Sequence, residues 1–210
     1  MRRYPILCLS LAALLAGCVV AERPPSAALP CDPALAGDWG LVEGRLILGI
    51  EPPPAPPPAA FAADDERRLR IDGDCRARLP AKPGRAAALR VYAADGQRYL
   101  GLSFDQAYRL IDGDTAPGAA ERGFVRDHPE AVALLRYRVN AATLRIEAPD
   151  PQTAERLFPS AGPEPNLIRG DRDAVRAALR RHPQLFERPD AGTLYRFIRL
   201  TPFDQPTQSP

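Results

Sequence analysis

Short apolar runs with a two-residue period dominate the sequence after residue 60 and limit the folds that are open to it. Residues 135–139 read Leu-Arg-Tyr-Arg-Val, and residues 69–72 read Leu-Arg-Ile-Asp. This alternation is typical of antiparallel strands with one face in the core and the other in solvent. Asp-Gly dipeptides stand between apolar runs at residues 72–73 and 95–96, and such dipeptides are strong hairpin signals. The pattern therefore predicts a mainly antiparallel sheet.

Other segments complete this prediction. Further strands are expected at 39–50, 89–93, 97–104, 143–147 and 193–200. Asp150 is a candidate N-cap followed by a proline, which predicts a short helix that runs to Phe158. Asp171 is the candidate N-cap of a longer helix that ends before Pro183. The expected fold class is α+β, a mainly antiparallel curved sheet with two short helices.

Proline marks the segments that the core does not include. The chain has 25 prolines in 210 residues, more than twice the usual ~5 per cent. Residues 51–60 read EPPPAPPPAA, which predicts an extended loop because proline is excluded from helix interiors and central strands. Residues 113–123 are predicted to form a flexible loop and residues 201–210 a disordered tail. One β-rich domain is thus expected over residues 31–200.

The first seventeen residues have the pattern of a secretory signal. Two arginines precede an apolar run at residues 5–16, which is too short to span a membrane. The run ends in Leu15-Ala16-Gly17-Cys18. This tetrapeptide resembles the lipobox of bacterial lipoproteins. The resemblance implies cleavage after residue 17 and acylation of Cys18, with palmitate-type chains that anchor the protein in a lipid bilayer.

The resemblance to lipoproteins also implies a location. Val19 follows the cysteine, whereas an aspartate at that position tends to retain such proteins at the inner membrane. We therefore expect an outer-membrane protein that faces the periplasm. Residues 19–30, VVAERPPSAALP, are predicted to be a flexible tether with a reach of about 37 Å, because proline-rich chain extends ~3.1 Å per residue.

The four cysteines divide into distinct groups. Cys8 lies in the predicted signal and Cys18 is the predicted lipidation site, which leaves Cys31 and Cys75. An even pair in an oxidising compartment predicts a disulfide. The loop of about 45 residues that it closes would be worth roughly 4 kcal/mol in the chain-entropy account. The alternative is a metal or redox pair, for which the sequence has neither a C-x-x-C motif nor a neighbouring histidine.

Charge and motif content exclude several partners. The chain carries 28 basic and 26 acidic residues, so no basic excess predicts nucleic-acid binding. Two histidines are too few for a histidine-based metal cluster. The repeated Ile-Asp-Gly-Asp at residues 71–74 and 111–114 lacks the glutamate of a Ca²⁺ loop. We therefore predict no metal, no cofactor and no nucleic-acid partner.

The single tryptophan lies in a Gly-x-Trp sequence, Gly37-Asp38-Trp39. This sequence resembles the first strand of lipocalin-type barrels, in which the tryptophan closes one end of the barrel. The resemblance implies a lipocalin-like barrel as the form of the curved sheet. The residues that could line a cavity in it are Trp39, Tyr92, Tyr99, Phe104 and Tyr137. The alternative is that these side chains fill a solid core.

The arrangement of strands and helices over residues 31–200 also resembles small proteobacterial envelope lipoproteins of uncharacterised function. That resemblance implies no activity. We predict a non-catalytic binding or interaction module whose partner is a small apolar ligand or an envelope protein. The alternative is an envelope hydrolase that uses His128 with a nearby carboxylate, such as Asp127 or Asp105, because histidine is the usual general base.

Overall fold

The computed structural model describes residues 19–44, 61–82, 84, 86–103, 105–106, 119–160, 165–186 and 194–200. Several predictions fall outside these ranges: the signal peptide at 1–17, the lipidation site Cys18, the proline-rich loop at 51–60, Phe104, and the tail at 201–210.

Eleven strands form one mixed, mainly antiparallel sheet. The strands are β1 (Val19–Ala21), β2 (Gly37–Glu43), β3 (Arg68–Ile71), β4 (Arg76–Arg78), β5 (Ala86–Ala88), β6 (Arg90–Ala94), β7 (Gln97–Ser103), β8 (Val132–Val139), β9 (Thr143–Glu147), β10 (Asn166–Ile168) and β11 (Leu194–Arg199). Their order is β10-β1-β8-β9-β11-β2-β3-β4-β5, and β7 pairs with both β6 and β8. Only β1 and β10 are paired in parallel among these strands. The predicted α+β class with a mainly antiparallel sheet is confirmed.

Three α-helices accompany the sheet in the described part of the chain. They are α1 (Ala119–Asp127), α2 (Pro151–Leu157) and α3 (Arg172–Arg181), and short 3-10 helices lie at Pro33–Leu35 and Pro183–Phe186. The predicted caps are present: Asp150 accepts a hydrogen bond from the N–H of Thr153, and Asp171 accepts one from Ala174. Helix α1 is a correction, because its first half lies in the segment that we predicted to be a loop.

The hairpin between β6 and β7 confirms the Asp-Gly prediction. Ala94 pairs with Gln97, so the turn consists of Asp95 and Gly96. Both turn residues have positive φ, 49° and 75°. A two-residue hairpin of this type requires positive φ at both central positions, which Asp and Gly tolerate.

The sheet carries apolar residues on both of its faces. The first cluster, called here the Trp39 cluster, contains Leu35, Trp39, Leu41, Leu69, Ile71, Leu100, Tyr137, Leu144, Ile146 and Phe197 among its buried members. The second, the helix-side cluster, contains Val19, Ala21, Tyr92, Tyr99, Leu134, Ala154, Ile168, Val175, Leu179, Leu185 and Phe186 among its members. Helices α2 and α3 contribute to the second cluster alone.

Residues 19–21 correct the prediction of a tether at 19–30. Val19 pairs with Asn166 of β10, and Val20 pairs with Ala133 of β8. All three residues of β1 have no exposed surface. Residues 19–21 closely follow the apolar run of the predicted leader, and three apolar residues are too few for a strand to be recognised by its period. Their burial depends on partners more than 100 residues away, which a local pattern does not identify.

The predicted disulfide is present. Cys31 and Cys75 are bonded, with their Cα atoms 5.5 Å apart and a sequence separation of 44. Cys75 is 3 % exposed and belongs to the Trp39 cluster, on which Cys31 packs. The bond therefore joins the segment before the 3-10 helix at Pro33–Leu35 to the turn between β3 and β4.

Candidate functional site

The aromatic residues proposed to line one cavity lie in two different clusters. Trp39 and Tyr137 belong to the Trp39 cluster, whereas Tyr92 and Tyr99 belong to the helix-side cluster. Tyr92 lies directly opposite Tyr99 in the β6–β7 ladder, so the two rings share one face of the sheet. All four side chains are buried. These four residues consequently do not form the wall of a single cavity.

Trp39 is held at one end of its cluster by two polar contacts. Its indole N–H donates to the carbonyl of Leu35, 2.8 Å away. The Arg199 guanidinium lies over the indole ring at 4.1 Å from the centroid. The same guanidinium donates through Nη1 to Ala36 and through Nη2 to Ala34, both at 2.6 Å. Arg199 therefore ties the last strand to the 3-10 helix at Pro33–Leu35.

The backbone conformation at residue 37 explains why glycine occupies the first position of the Gly-x-Trp sequence. Its φ of +145° lies in a region that favours glycine. A Cβ atom at Gly37 would collide with the Nη1 atom of Arg199. The positive φ therefore favours glycine at this position, and the contact with Arg199 adds to that preference.

Tyr137 lies beside the disulfide in a small polar cluster. Its hydroxyl donates to Oδ2 of Asp32 at 3.2 Å, and Arg98 lies 3.4 Å from the same oxygen. Burial raises the pKa of Tyr137 to about 12. The tyrosine therefore remains protonated at neutral pH and acts as a hydrogen-bond donor.

His128 has a nearby carboxylate partner, which is Glu22 and neither of the two examples, Asp127 and Asp105, given from the sequence. Its Nδ1 lies 3.2 Å from Oε1 of Glu22, and its ring packs on Phe124 at 4.8 Å between centroids. The other carboxylate oxygen of Glu22 accepts a hydrogen bond from the N–H of Gly170 at 2.7 Å. This N–H is the main cause that lowers the pKa of Glu22. The pair links β1, β10 and α1.

The predicted partners of His128 form other contacts. Asp127 forms an ion pair with Arg126 at 2.8 Å, and Asp105 accepts a hydrogen bond from the Ser103 hydroxyl at 2.6 Å. The described serines all donate to groups other than His128. Ser26 donates to the carbonyl of Ala27, Ser103 to Asp105, and Ser160 to Glu155.

A buried ion pair lies between β8 and β9, where the sequence pattern predicted a surface arginine. Arg136 is 8 % exposed and Glu147 is 4 % exposed. The Nε of Arg136 donates to Glu147, and its Nη2 donates to the carbonyl of Phe186 at 2.8 Å. Arg145 reaches the other carboxylate oxygen at 2.8 Å. Each charge is therefore compensated, and the pair fixes the segment after α3 against the sheet.

A groove of about 580 Å³ runs between α3 and the edge strand β10. Its lining is apolar apart from two arginines, Arg169 and Arg181. The apolar side chains come from the end of α2, from β10 and from α3: Phe158, Pro159, Leu167, Ile168, Ala174, Ala177 and Ala178. This set of residues is called the groove below. Arg169 and Arg181 are both exposed.

Among the described residues, no group of three or more His, Cys, Asp and Glu side chains is placed to hold a metal ion. No helix in the same part of the chain combines the length and the apolar character needed to cross a membrane.

Comparisons with known proteins found no match: no family model, no curated protein and no solved structure matches the chain.

Proposed function

We propose that this chain is a lipoprotein of the bacterial cell envelope that acts as a non-catalytic binding or interaction module. Acyl chains on Cys18 would anchor it, and the domain would face the periplasm from the outer membrane. The observation that carries the proposal is the lipobox-like sequence at residues 15–18, which ends directly before the first strand at Val19.

The disulfide between Cys31 and Cys75 supports an envelope location. Structural disulfides form and persist in oxidising compartments, and the bacterial periplasm is one of them. Removal of residues 1–17 takes away Arg2 and Arg3 and leaves 26 basic and 26 acidic residues. A chain without net charge has no long-range attraction to nucleic acid.

We further infer that the sheet curves around the Trp39 cluster as a lipocalin-like barrel. Leu89 is the one residue between β5 and β6, and its N–H donates to the carbonyl of Cys75 at 2.8 Å. β5 is the last strand of the order that begins with β10, whereas β6 pairs with β7, which in turn pairs with β8. A single residue therefore connects the last strand of that order to the strands beside β8. Large side chains occupy the interior, which supports a solid core and an external binding surface over an internal ligand cavity.

The contacts of His128 give little support to the alternative of a hydrolase. Its Nδ1 and the carboxylate of Glu22 join three elements of the fold, and the described serine hydroxyls are engaged elsewhere. A general base needs a nucleophile within hydrogen-bond reach. We therefore assign a structural role to the pair.

The anchor is tested by Cys18→Ser, with Cys8→Ser as the matched control in the same predicted leader. We expect Cys18→Ser to move the protein from the membrane fraction to the soluble fraction and to abolish incorporation of an alkyne-labelled fatty acid. The control variant should remain membrane-bound and labelled. Membrane retention and labelling that survive Cys18→Ser would contradict the proposal.

A further inference from the structure

We propose that the domain lies directly on the bilayer, with the groove between α3 and β10 against the lipid. The inference rests on the proposed acylation of Cys18 and goes beyond it, because it assigns the membrane-facing surface. A protein held by a twelve-residue tether would have no preferred face. The structure instead places Val19, the residue that follows Cys18, beside one particular surface.

The first step is the position of β1. Val19 has no exposed surface and is paired with Asn166 of β10, while Val20 is paired on its other side with Ala133 of β8. Cys18 directly precedes Val19 in the sequence, so the proposed lipid would be joined to the chain one residue before a strand inside the sheet.

The second step is that the described contacts of residues 22–29 hold this segment on the domain. The N–H of Glu22 donates to the carbonyl of Ile168 at 3.0 Å. The hydroxyl of Ser26 accepts a hydrogen bond from the N–H of Ala93 at 3.2 Å, and Leu29 pairs with Val91. Residues 22–29 are therefore held on the domain and do not act as a flexible tether between the proposed lipid and the fold.

The third step is the distance from the start of β1 to the groove. Val20 pairs with Leu167 and Val19 with Asn166, so Leu167 lies one strand across and one residue along from Val19. Strand spacing and rise then place the Cα atoms of Val19 and Leu167 about 6 Å apart. Leu167 is a lining residue of the groove.

The fourth step is the chemistry of the groove. Its lining is apolar between two exposed arginines, Arg169 and Arg181. Arginine side chains place their stems along apolar surface and their charge at the level of lipid headgroups. Each basic residue near an anionic leaflet is attracted to it. An apolar surface with basic margins next to a lipid anchor fits a phospholipid leaflet that contains anionic headgroups.

The test measures contact with lipid at two alanine positions. Ala177 lines the groove, whereas Ala63 is exposed before β3, six places from β10 in the strand order. The lipidated full chain with Ala177→Cys or Ala63→Cys is purified from membranes, labelled with bimane and placed in vesicles of phosphatidylethanolamine and phosphatidylglycerol. Brominated lipids then quench any label that lies in the headgroup and acyl boundary. A third protein carries Ala177→Cys and about twelve Gly and Ser residues between Cys18 and Val19, a flexible spacer of ~20 Å.

We expect quenching at Ala177→Cys to exceed that at Ala63→Cys roughly threefold, as for a surface buried in the lipid boundary, and the spacer to remove the difference. Equal quenching at the two positions, or stronger quenching at Ala63→Cys, would overturn the proposal. Strong quenching that the spacer leaves unchanged would also overturn it. If the label at Ala177→Cys is not quenched, the groove faces away from the lipid and would serve a protein partner instead. Mass spectrometry of the N-terminal peptide separates these outcomes from a failure of the anchor, which would show as an unmodified Cys18.

Discussion

The guanidinium of Arg199 lies 4.1 Å from the centroid of the Trp39 ring and donates to two carbonyls of the segment that precedes the tryptophan. The residues are 160 positions apart in the chain, yet β11 and β2 pair them directly. This contact closes one end of the Trp39 cluster. It also joins the last described strand of the domain to the 3-10 helix at Pro33–Leu35.

Loss of this arginine should destabilise the domain. Arg199→Ala removes three charge-assisted hydrogen bonds, to the carbonyls of Ala34, Ala36 and Ala141, and a cation–π contact. This predicts a loss of about 2–4 kcal/mol in the free energy of unfolding. Arg199→Lys should recover part of it, because one ammonium does not reproduce the planar fork. Urea unfolding measures the change, and Arg138→Ala, at an exposed position of β8, is the control. Equal effects of the two alanine substitutions would show that the contact adds no stability.

Reduction of the disulfide should have a comparable effect. A loop with a sequence separation of 44 predicts a loss of about 4 kcal/mol when Cys31–Cys75 is reduced. Unfolding midpoints measured with and without dithiothreitol test this value. The double variant Cys31→Ser/Cys75→Ser should start from the lower stability and should not respond to the reductant. A wild-type midpoint that is indifferent to reduction would contradict the prediction.

The buried pair Arg136–Glu147 predicts a large cost for removal of one partner. Glu147→Gln leaves the buried guanidinium without its charge partner, which should cost about 3 kcal/mol. Glu43→Gln is the matched control, because Glu43 forms a cross-strand pair with Arg196 at 2.8 Å on the exposed surface. Exposed pairs contribute about 0–1 kcal/mol. Similar unfolding free energies for the two variants would indicate that burial does not strengthen the Arg136 pair.

Glu22 predicts a specific dependence of stability on pH. The N–H of Gly170 lowers the pKa of Glu22 below its ordinary value of 4.5. The carboxylate therefore contributes stability above pH 4.5, and this contribution is lost as the pH falls through the lowered pKa. The difference in unfolding free energy between the wild type and Glu22→Gln should shrink across that acidic window. Glu66→Gln, at an exposed position, should show no such trend, and a constant Glu22→Gln difference would exclude the linkage.

Local signals predicted the antiparallel part of the fold well. The expected strand at 143–147 matches β9 residue for residue, because its period, its polar turn and its partner are all close in sequence. Asp150 and Asp171 cap helices as expected, since an N-cap needs only the following turn of backbone. The hairpin at Asp95 and Gly96 depends on the two turn residues alone.

Long-range contacts produced the errors. The strand at Val19–Ala21 depends on Asn166 and Ala133, its partners in β10 and β8, and three apolar residues carry no period of their own. Arg136 follows an alternating pattern that predicts solvent exposure, but Glu147 and the carbonyl of Phe186 allow it to be buried. The prediction of a loop at 113–123 was wrong over the first half of α1 for a local reason: this helix contains Gly123, and glycine lowers helix propensity.

The sequence by itself determined the features that involve neighbouring residues: the antiparallel strands, the Asp-Gly hairpin and the helix caps. It also predicted the pairing of Cys31 with Cys75, since these two cysteines remain once Cys8 is assigned to the predicted leader and Cys18 to the predicted lipidation site. The tertiary structure decided which distant residues meet. It separated Tyr92 from Trp39, joined His128 to Glu22, and drew Val19 into the sheet. Strand pairing and burial lower the free energy only when both partners are present, so a pattern on one of them cannot reveal the other.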